Sequence, residues 1–316
     1  MFILTSNRYE GHLPVEKLRS AIGHVSVVDL SDPDLQIVVA KDAFLLRTSD
    51  AEIDLATDMG LYYPESYSLH SLRGATAAIA EDERAIYVDS WVNIWEAIEA
   101  HADLHPRQWI NRPRAARLAD NKALLAMEFF GVHGRPTPQT LLTNSPAAVS
   151  VFAGNSGLAV KVVSRKEYMN DSTLLATQYF SALELKQHAD DVATCPLIYQ
   201  PFISSPRQSR VFVFGDDVLS FEIRSDHSKS QPDIRVAEDL SYEITRALPG
   251  SPLEEQSRQL TRMLDLDVAA LDYLHEGDQT LLIDINPNGV WNWMPPDLRA
   301  AVDKAFVAAM VRRVEL

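Results

Sequence analysis

The hydrophobic positions of this 316-residue chain change period several times along its length. Residues 2–5 (FILT) form a short apolar run that predicts a first strand. Residues 14–22 have the three- and four-residue spacing of a helix, and 25–30 (VSVVDL) and 35–40 (LQIVVA) read as strands again. This alternation predicts a small open α/β domain. No G-x-G-x-x-G follows the first strand, so a dinucleotide fingerprint is absent. In residues 90–101, Trp91, Ile94, Trp95 and Ile98 fall on one helical face, which points to core packing. The proline-punctuated stretch 105–114 (HPRQWINRPR) predicts a connector and a first domain boundary.

Residues 119–132 (ADNKALLAMEFFGV) read as a helix that Asp120 or Asn121 caps, with Gly131 near its end. Residues 135–144 (RPTPQTLLTN) read as an extended entry into a strand, 158–163 (LAVKVV) as another strand, and 171–189 as mostly helical. The segments 195–203, 209–225 and 268–286 are β-rich. Within them, VFVFGDDVLSFEI reads as a hairpin with a G-D-D turn. Residues 254–264 predict a helix before the last hairpin, and 297–314 a closing amphipathic helix.

Composition narrows the function classes. Hydrophobic residues make up 46% and charged residues 23%, as in ordinary globular proteins. The length suits two or three subdomains. No apolar run approaches the roughly 20 residues of a membrane helix, and MFIL at the start is too short for a signal-peptide core. One cysteine, Cys195, forms no internal disulfide and no multi-cysteine metal site, which fits a cytoplasmic setting. A net charge of −15 repels phosphate backbones and argues against nucleic acid as a partner.

The stretch 281–293 (LLIDINPNGVWNW) carries the chemistry. Alternation along a strand puts Leu281, Ile283 and Ile285 on one face and Leu282, Asp284 and Asn286 on the other. The preceding strand carries Asp272. A register that sets Asp272 opposite Asp284 leaves E-G-D-Q-T as the turn. Two carboxylates and an amide oxygen then converge, a set that suits Mg²⁺. The same residues also suit a surface acid beside a plain turn. Lys161, flanked by apolar strand residues, fits a phosphate neighbour and equally a lysine reaching out from an edge strand. Residues 207–235 gather Arg207, Arg210, Arg224, Lys229 and Arg235 in an otherwise acidic chain, a pattern for recognising carboxylates. Pairing with Asp216, Asp217, Glu222 and Asp226 is the alternative, and for Arg207 and Lys229 the better one. Trp291 and Trp293 share a face if the chain stays extended, as a packing platform or a peptide contact.

The order of these features resembles the ATP-grasp ligases, over roughly residues 105–295 and more loosely the whole chain. D-Y-L followed by L-L-I-D-I-N-P-N-G resembles the family's paired metal-ligand strands, which makes Asp272, Asp284 and Asn286 the metal positions; Asp284 stands where the family often has Glu. A-D-N-K with Lys122 and L-A-V-K-V-V with Lys161 resemble its two nucleotide lysines. I-Y-Q-P-F-I resembles the adenine hinge, with Gln200, Pro201 and Ile203 in contact; Pro201 offers only a carbonyl there, so Ile203 supplies the amide. In Q-S-R, Arg210 matches an acid-x-Arg motif, and Gln208 replaces the acid that usually meets the ribose. The glycine-rich lid is not evident, and Ser164, Arg165 and Lys166 stand in its place. W-I-N-R-P with A-D-N-K, F-E-I-R-S with P-D-I-R, and I-N-P-N-G-V-W-N-W resemble the ligases that close microviridin-type graspetides.

The resemblance implies an α/β (α+β) ATP-grasp fold. Its expected parts are an N-terminal open α/β domain (1–110), a central lid-like subdomain (111–200) and a C-terminal catalytic subdomain (201–316). It implies ATP and Mg²⁺, and activation of Asp or Glu side chains of an acidic precursor peptide as acyl phosphates. Ester closure on Ser or Thr, or amide closure on Lys, would follow, with Arg210, Arg224 and Arg235 as catalytic residues. It also implies a homodimer. A ligase joining amino acids or small peptides, or a non-catalytic nucleotide-binding regulator, are the other readings.

Overall fold

The computed structural model describes residues 1–5, 13–30, 32, 34–63, 79–124, 126, 137–163, 177–205, 207–225 and 242–315. Strand β1 (Phe2–Thr5), helix α1 (Val15–Ile22) and strand β2 (Ser26–Asp29) open the chain. β1 is buried on both faces and lies between parallel neighbours, as its unbroken apolar run requires. The predicted strand at 35–40 does not join that sheet. β3 (Gln36–Ala40) folds back at once on β4 (Ala43–Arg47), with Ala40 opposite Ala43, and β5 (Glu52–Asp54) completes a separate antiparallel sheet. Two residues suffice for a hairpin but not for a parallel crossover.

The first sheet is completed by β6 (Gly60–Tyr62) and β7 (Trp109–Ile110), in the order β2-β1-β6-β7. The predicted connector therefore contributes a buried strand. Between β6 and β7, helix α2 (Glu81–Leu104) runs well beyond the predicted span. Its exposed first turns lack an apolar stripe, and the acids Glu81, Asp82 and Glu83 suit its N-terminus. Trp95 and Ile98 are buried, as expected.

After helix α3 (Pro113–Ala119), a single helical turn, Lys122–Leu124, carries the first lysine. Asn121 is its cap, accepting from the Ala123 and Leu124 amides at 3.1 and 3.2 Å. Residues 125 and 127–132 of the predicted helix lie outside the described residues. The central sheet, β10-β9-β11-β8, is antiparallel: β8 (Leu141–Thr143), β9 (Leu158–Val162), β10 (Gln178–Phe180) and β11 (Leu197–Pro201). β10 falls in a stretch predicted as helical. The helix starts later, at Ser181, whose capping box with Glu184 opens α5 (Ala182–Gln187). Together with α4 (Pro146–Ala153) and α6 (Ala189–Thr194), it covers one face of this sheet around Val149, Leu158, Val160 and Tyr199.

The last sheet has five strands in the order β14-β13-β12-β15-β16. β12 (Arg207–Phe214) and β13 (Asp217–Ser225) form the predicted hairpin. β14 is Tyr242–Arg246, β15 is Val268–Glu276 and β16 is Gln279–Asn286. One face packs Val211, Leu271, Tyr273 and Ile285 against α2, α3 and α7 (Pro252–Met263). The other packs Phe212, Phe214, Ala270 and Trp291 against α8 (Pro296–Val314). Among the described residues, no helix is long and apolar enough to cross a membrane.

Candidate active site

Three adjacent strands set three charged residues side by side. Arg210 on β12 is directly opposite Asp272 on β15, and Asp272 is directly opposite Asp284 on β16. Pairing continues to Glu276 and Gln279, so the turn is tighter than E-G-D-Q-T and uses Gly277 at φ +57°. The register slips by one residue between Asp272 and Tyr273. Ile283 is the extra residue, and the bulge changes the face assignment beyond it. Leu282 pairs with Tyr273 and faces the same core as Ile285, rather than sharing a face with Asp284. Asp284 and Asn286 do share a face, with Asp272, Arg210 and Gln208 on the neighbouring strands.

Two acids directly opposite each other destabilise a sheet. Here each has its own cation. Arg210 donates from Nη1 to Oδ1 and Oδ2 of Asp272 at 3.1 and 3.0 Å. Lys122 donates from Nζ to Oδ1 and Oδ2 of Asp284 at 2.9 and 3.0 Å. All four side chains are partly buried, so these pairs are screened less than surface pairs.

The loop after β16 is tied down on both sides. Asn286 Oδ1 accepts from the amides of Asn288 and Gly289 at 2.8 and 3.1 Å. Asn111, left-handed at φ 51° and buried, accepts at Oδ1 from the Asp267 and Val268 amides, both at 2.8 Å. Its Nδ2 donates to the carbonyls of Val268 and Pro287 at 2.7 and 2.8 Å. The chain then turns instead of staying extended, so the two tryptophans part. Trp291 is fully buried and donates to Asp303 Oδ1 at 2.7 Å. Trp293 is 37% exposed and lies against Arg210.

The remaining nucleotide candidates sit on or just after the central sheet. Lys161 pairs with Ile198, and Gln200 with Ala159; both side chains face away from the helix-covered side to which Val160 and Tyr199 belong. Gln200 is buried and donates from Nε2 to Thr140 Oγ1 at 2.9 Å. Pro201 ends β11 opposite Leu158, and Ile203 follows half-buried. Phe202 meets Tyr179 edge-on at 5.2 Å.

Arg224 is not brought to this group. It pairs with Arg207 across the hairpin, on the face opposite Arg210. Glu222 serves both, accepting from Arg224 Nε at 2.7 Å and from Arg207 Nη2 at 2.9 Å. Those two hydrogen bonds, that of Arg224 first, hold the Glu222 carboxyl below its ordinary range. On the same face, His275 Nε2 contacts Ser209 Oγ at 2.8 Å, and burial foremost lowers its pKa. Arg235, Lys229, Asp226 and the Ser164–Arg165–Lys166 stretch lie outside the described residues.

The candidate ligand atoms of Asp272, Asp284 and Asn286 are all oxygen, and the two carboxylates suit a hard divalent cation. Among the described residues, no three His, Cys, Asp or Glu side chains cluster in metal-holding geometry; the set here is two acids and an amide whose oxygen also caps the following turn. Sequence reasoning missed Asn111, Thr140 and the Val290 carbonyl that joins Arg210 to Trp293. Only Asn111 left a signal, an Asn between an apolar pair and Arg-Pro.

No family model matches the sequence, and no curated protein does. Solved structures do. The macrocyclase MdnC bound with precursor peptide MdnA from Microcystis aeruginosa MRC has a TM-score of 0.76 and 17% identity, over 99% of this chain and 100% of that one. A Chryseobacterium gregarium RiPP-associated ATP-grasp ligase, in complex with ADP and a leader and core peptide, has a TM-score of 0.73 and 17% identity over 97% and 95%. The ATP-grasp ligase PsnB, complexed with a phosphomimetic variant of its minimal precursor, Mg and ADP, has a TM-score of 0.69 and 16% identity over 99% and 98%. The chain has the ATP-grasp fold, and it shares that fold along nearly its whole length with these precursor-peptide ligases.

Proposed function

We propose that this chain is an ATP-dependent ligase that activates Asp or Glu side chains of an acidic precursor peptide and closes ester or amide rings. The observation that carries this is the opposed pair Asp272 and Asp284, each held by a cation, on an ATP-grasp fold. The precursor peptides, ADP and Mg present in the neighbours' structures support it. In this reading the parts at 1–110, 111–200 and 201–316 are the N-terminal, lid-like and catalytic units of a cytoplasmic homodimer.

Asp272, Asp284 and Asn286 would hold Mg²⁺, which when bound neutralises phosphate charge. Lys122 and Lys161 offset the charge of the transferred group, and the Pro201 carbonyl and Ile203 amide orient adenine, with Gln208 toward the ribose. A substrate carboxylate oxygen attacks the γ-phosphorus, the bond to the ADP oxygen breaks, and an acyl phosphate forms. A Ser or Thr hydroxyl, or a Lys amine, then attacks the acyl carbon and loses its proton as phosphate leaves. Arg210 stabilises the developing oxyanion. Arg224 and Arg235 are proposed to meet further carboxylates of the peptide, Arg224 from the other face of the sheet.

The test is mass spectrometry of the acidic peptide encoded beside this protein's gene, incubated with enzyme, ATP and Mg²⁺. Loss of one water per bond with ADP formed is the expected result. An added amino-acid mass would move the function to conjugation, and no peptide change without ADP would overturn the ligase reading.

A further inference from the structure

We propose that Trp293 is a positioning residue for Arg210, holding its guanidinium in one orientation at the site. The inference rests on the ligase reading only for what Arg210 then does; the clamp itself stands on geometry. Arg210 has a side chain only 13% exposed. Its Nη1 is taken by Asp272, and its Nη2 donates to the Val290 carbonyl at 3.1 Å. Two rings flank the guanidinium: Phe212, with its centroid 5.3 Å from Cζ, and Trp293, at 5.7 Å. Phe212 comes from the same strand and is core. Trp293 comes from the loop after the metal strand, and its half-exposed ring has no core to fill.

Trp293 is itself oriented by the group that holds Arg210. Its Nε1 donates to the Val290 carbonyl at 3.1 Å, so one oxygen fixes both the indole and the guanidinium. That oxygen is presented by a rigid loop: Asn286 caps its start, Trp291 buries its middle, and the Met294 amide closes it on the Trp291 carbonyl at 3.1 Å. A planar cation flanked by aromatic rings resists rotation, and its polar edge stays pointed where charge develops. The Nε–H of Arg210 is buried, with no hydrogen-bond partner among the described residues. It is therefore a direct reporter of how well the rings cover the guanidinium.

The experiment follows that proton in the full chain labelled with ¹⁵N-arginine, its signal assigned by loss in Arg210→Lys. Trp293→Leu removes the ring, and Trp293→Phe keeps a ring without the indole N–H. The expected result is that exchange of the Arg210 Nε–H rises about tenfold or more in Trp293→Leu and stays within about threefold in Trp293→Phe. Arg112, paired with Asp103 at 2.7 Å, is the control and does not change. In turnover of ATP with the acidic peptide, Trp293→Leu lowers kcat about tenfold with KM for ATP within about threefold, and Trp293→Phe restores it. Unchanged exchange in Trp293→Leu overturns the proposal. So does equal acceleration in both variants, which would mean the ring is not what holds, and so does acceleration at Arg112 as well, which would mean packing at large was lost. If the natural protein turns over no ATP, the ligase reading falls, and the exchange result still decides the clamp.

Discussion

Replacing Asn111 by Ala removes a side chain that ties the end of β7 to the start of β15 and to the loop after Asn286. Four hydrogen bonds go, to the Asp267 and Val268 amides and the Val268 and Pro287 carbonyls. Three of them are buried. At about 0.5–0.75 kcal/mol net each, the low part of the usual range, with about 1 kcal/mol for a buried group left unmade, the loss comes to roughly 3–4 kcal/mol. Asn111 also sits at φ 51°, where Ala adds about 1 kcal/mol of left-handed strain that Asn tolerates better. The expected total is about 4–5 kcal/mol, or a fall in Tm of roughly 8–10 °C at the low end of the usual scaling, since the chain is large. Thermal unfolding followed by near-ultraviolet circular dichroism measures it. Asn111→Gly should recover about 1 kcal/mol of the loss, because glycine accepts the backbone angle. Asn111→Asp should lose at least as much as Ala, because it sets a carboxylate oxygen against the buried Val268 and Pro287 carbonyls in place of the donating nitrogen. An Asn111→Ala protein melting within about 2 °C of the natural one would refute the bonding argument, and a glycine variant no better than alanine would refute the strain argument.

The metal reading and a purely structural ion pair separate in Asp284→Ala. The Lys122–Asp284 pair is about a third exposed, so its loss should change stability by less than about 1 kcal/mol. Mg²⁺-dependent binding of an ATP analogue, followed by calorimetry, should be lost; retained binding with lowered stability would assign Asp284 to structure alone. His275 predicts a pH effect. Burial first, then Arg207, depresses its pKa below the ordinary 6.5, against an opposing effect of Glu222. The unfolded chain therefore takes up a proton below pH 6.5 that the folded chain refuses, and stability present above that pH is lost as pH falls toward the folded value. His275→Gln should flatten the decline in denaturant midpoint below pH 6.5, and an unchanged slope would remove His275 as its source.

The parts of the site that follow from strand periodicity were legible in the residues, and the parts that depend on chain reversal were not. Asp272 opposite Asp284 could be read because each acid follows an apolar run and the turn between the two strands is short and polar. The bulge at Ile283 could not, since an inserted residue leaves the local composition unchanged while it reverses every face before it. Leu282 shows the result: it faces the core with Ile285, three positions away. Trp291 and Trp293 diverge for a related reason. Their shared face required an extended chain, whereas Asn286 draws two amides back onto its own oxygen and starts a turn. The strand at Gln178–Phe180 was hidden because its apolar residues continue into a helical pattern, and only the Ser181–Glu184 box marks where the helix begins. Asn111 acts across more than 150 positions of sequence, a distance at which no local pattern carries information. A regular β16 would carry Ile285 and Leu282 to opposite faces; with the extra residue, both fill the core while Asp284 and Asn286 stay beside Asp272. One inserted residue thus lets a single strand close the core at both ends and keep Asp284 and Asn286 on the other side.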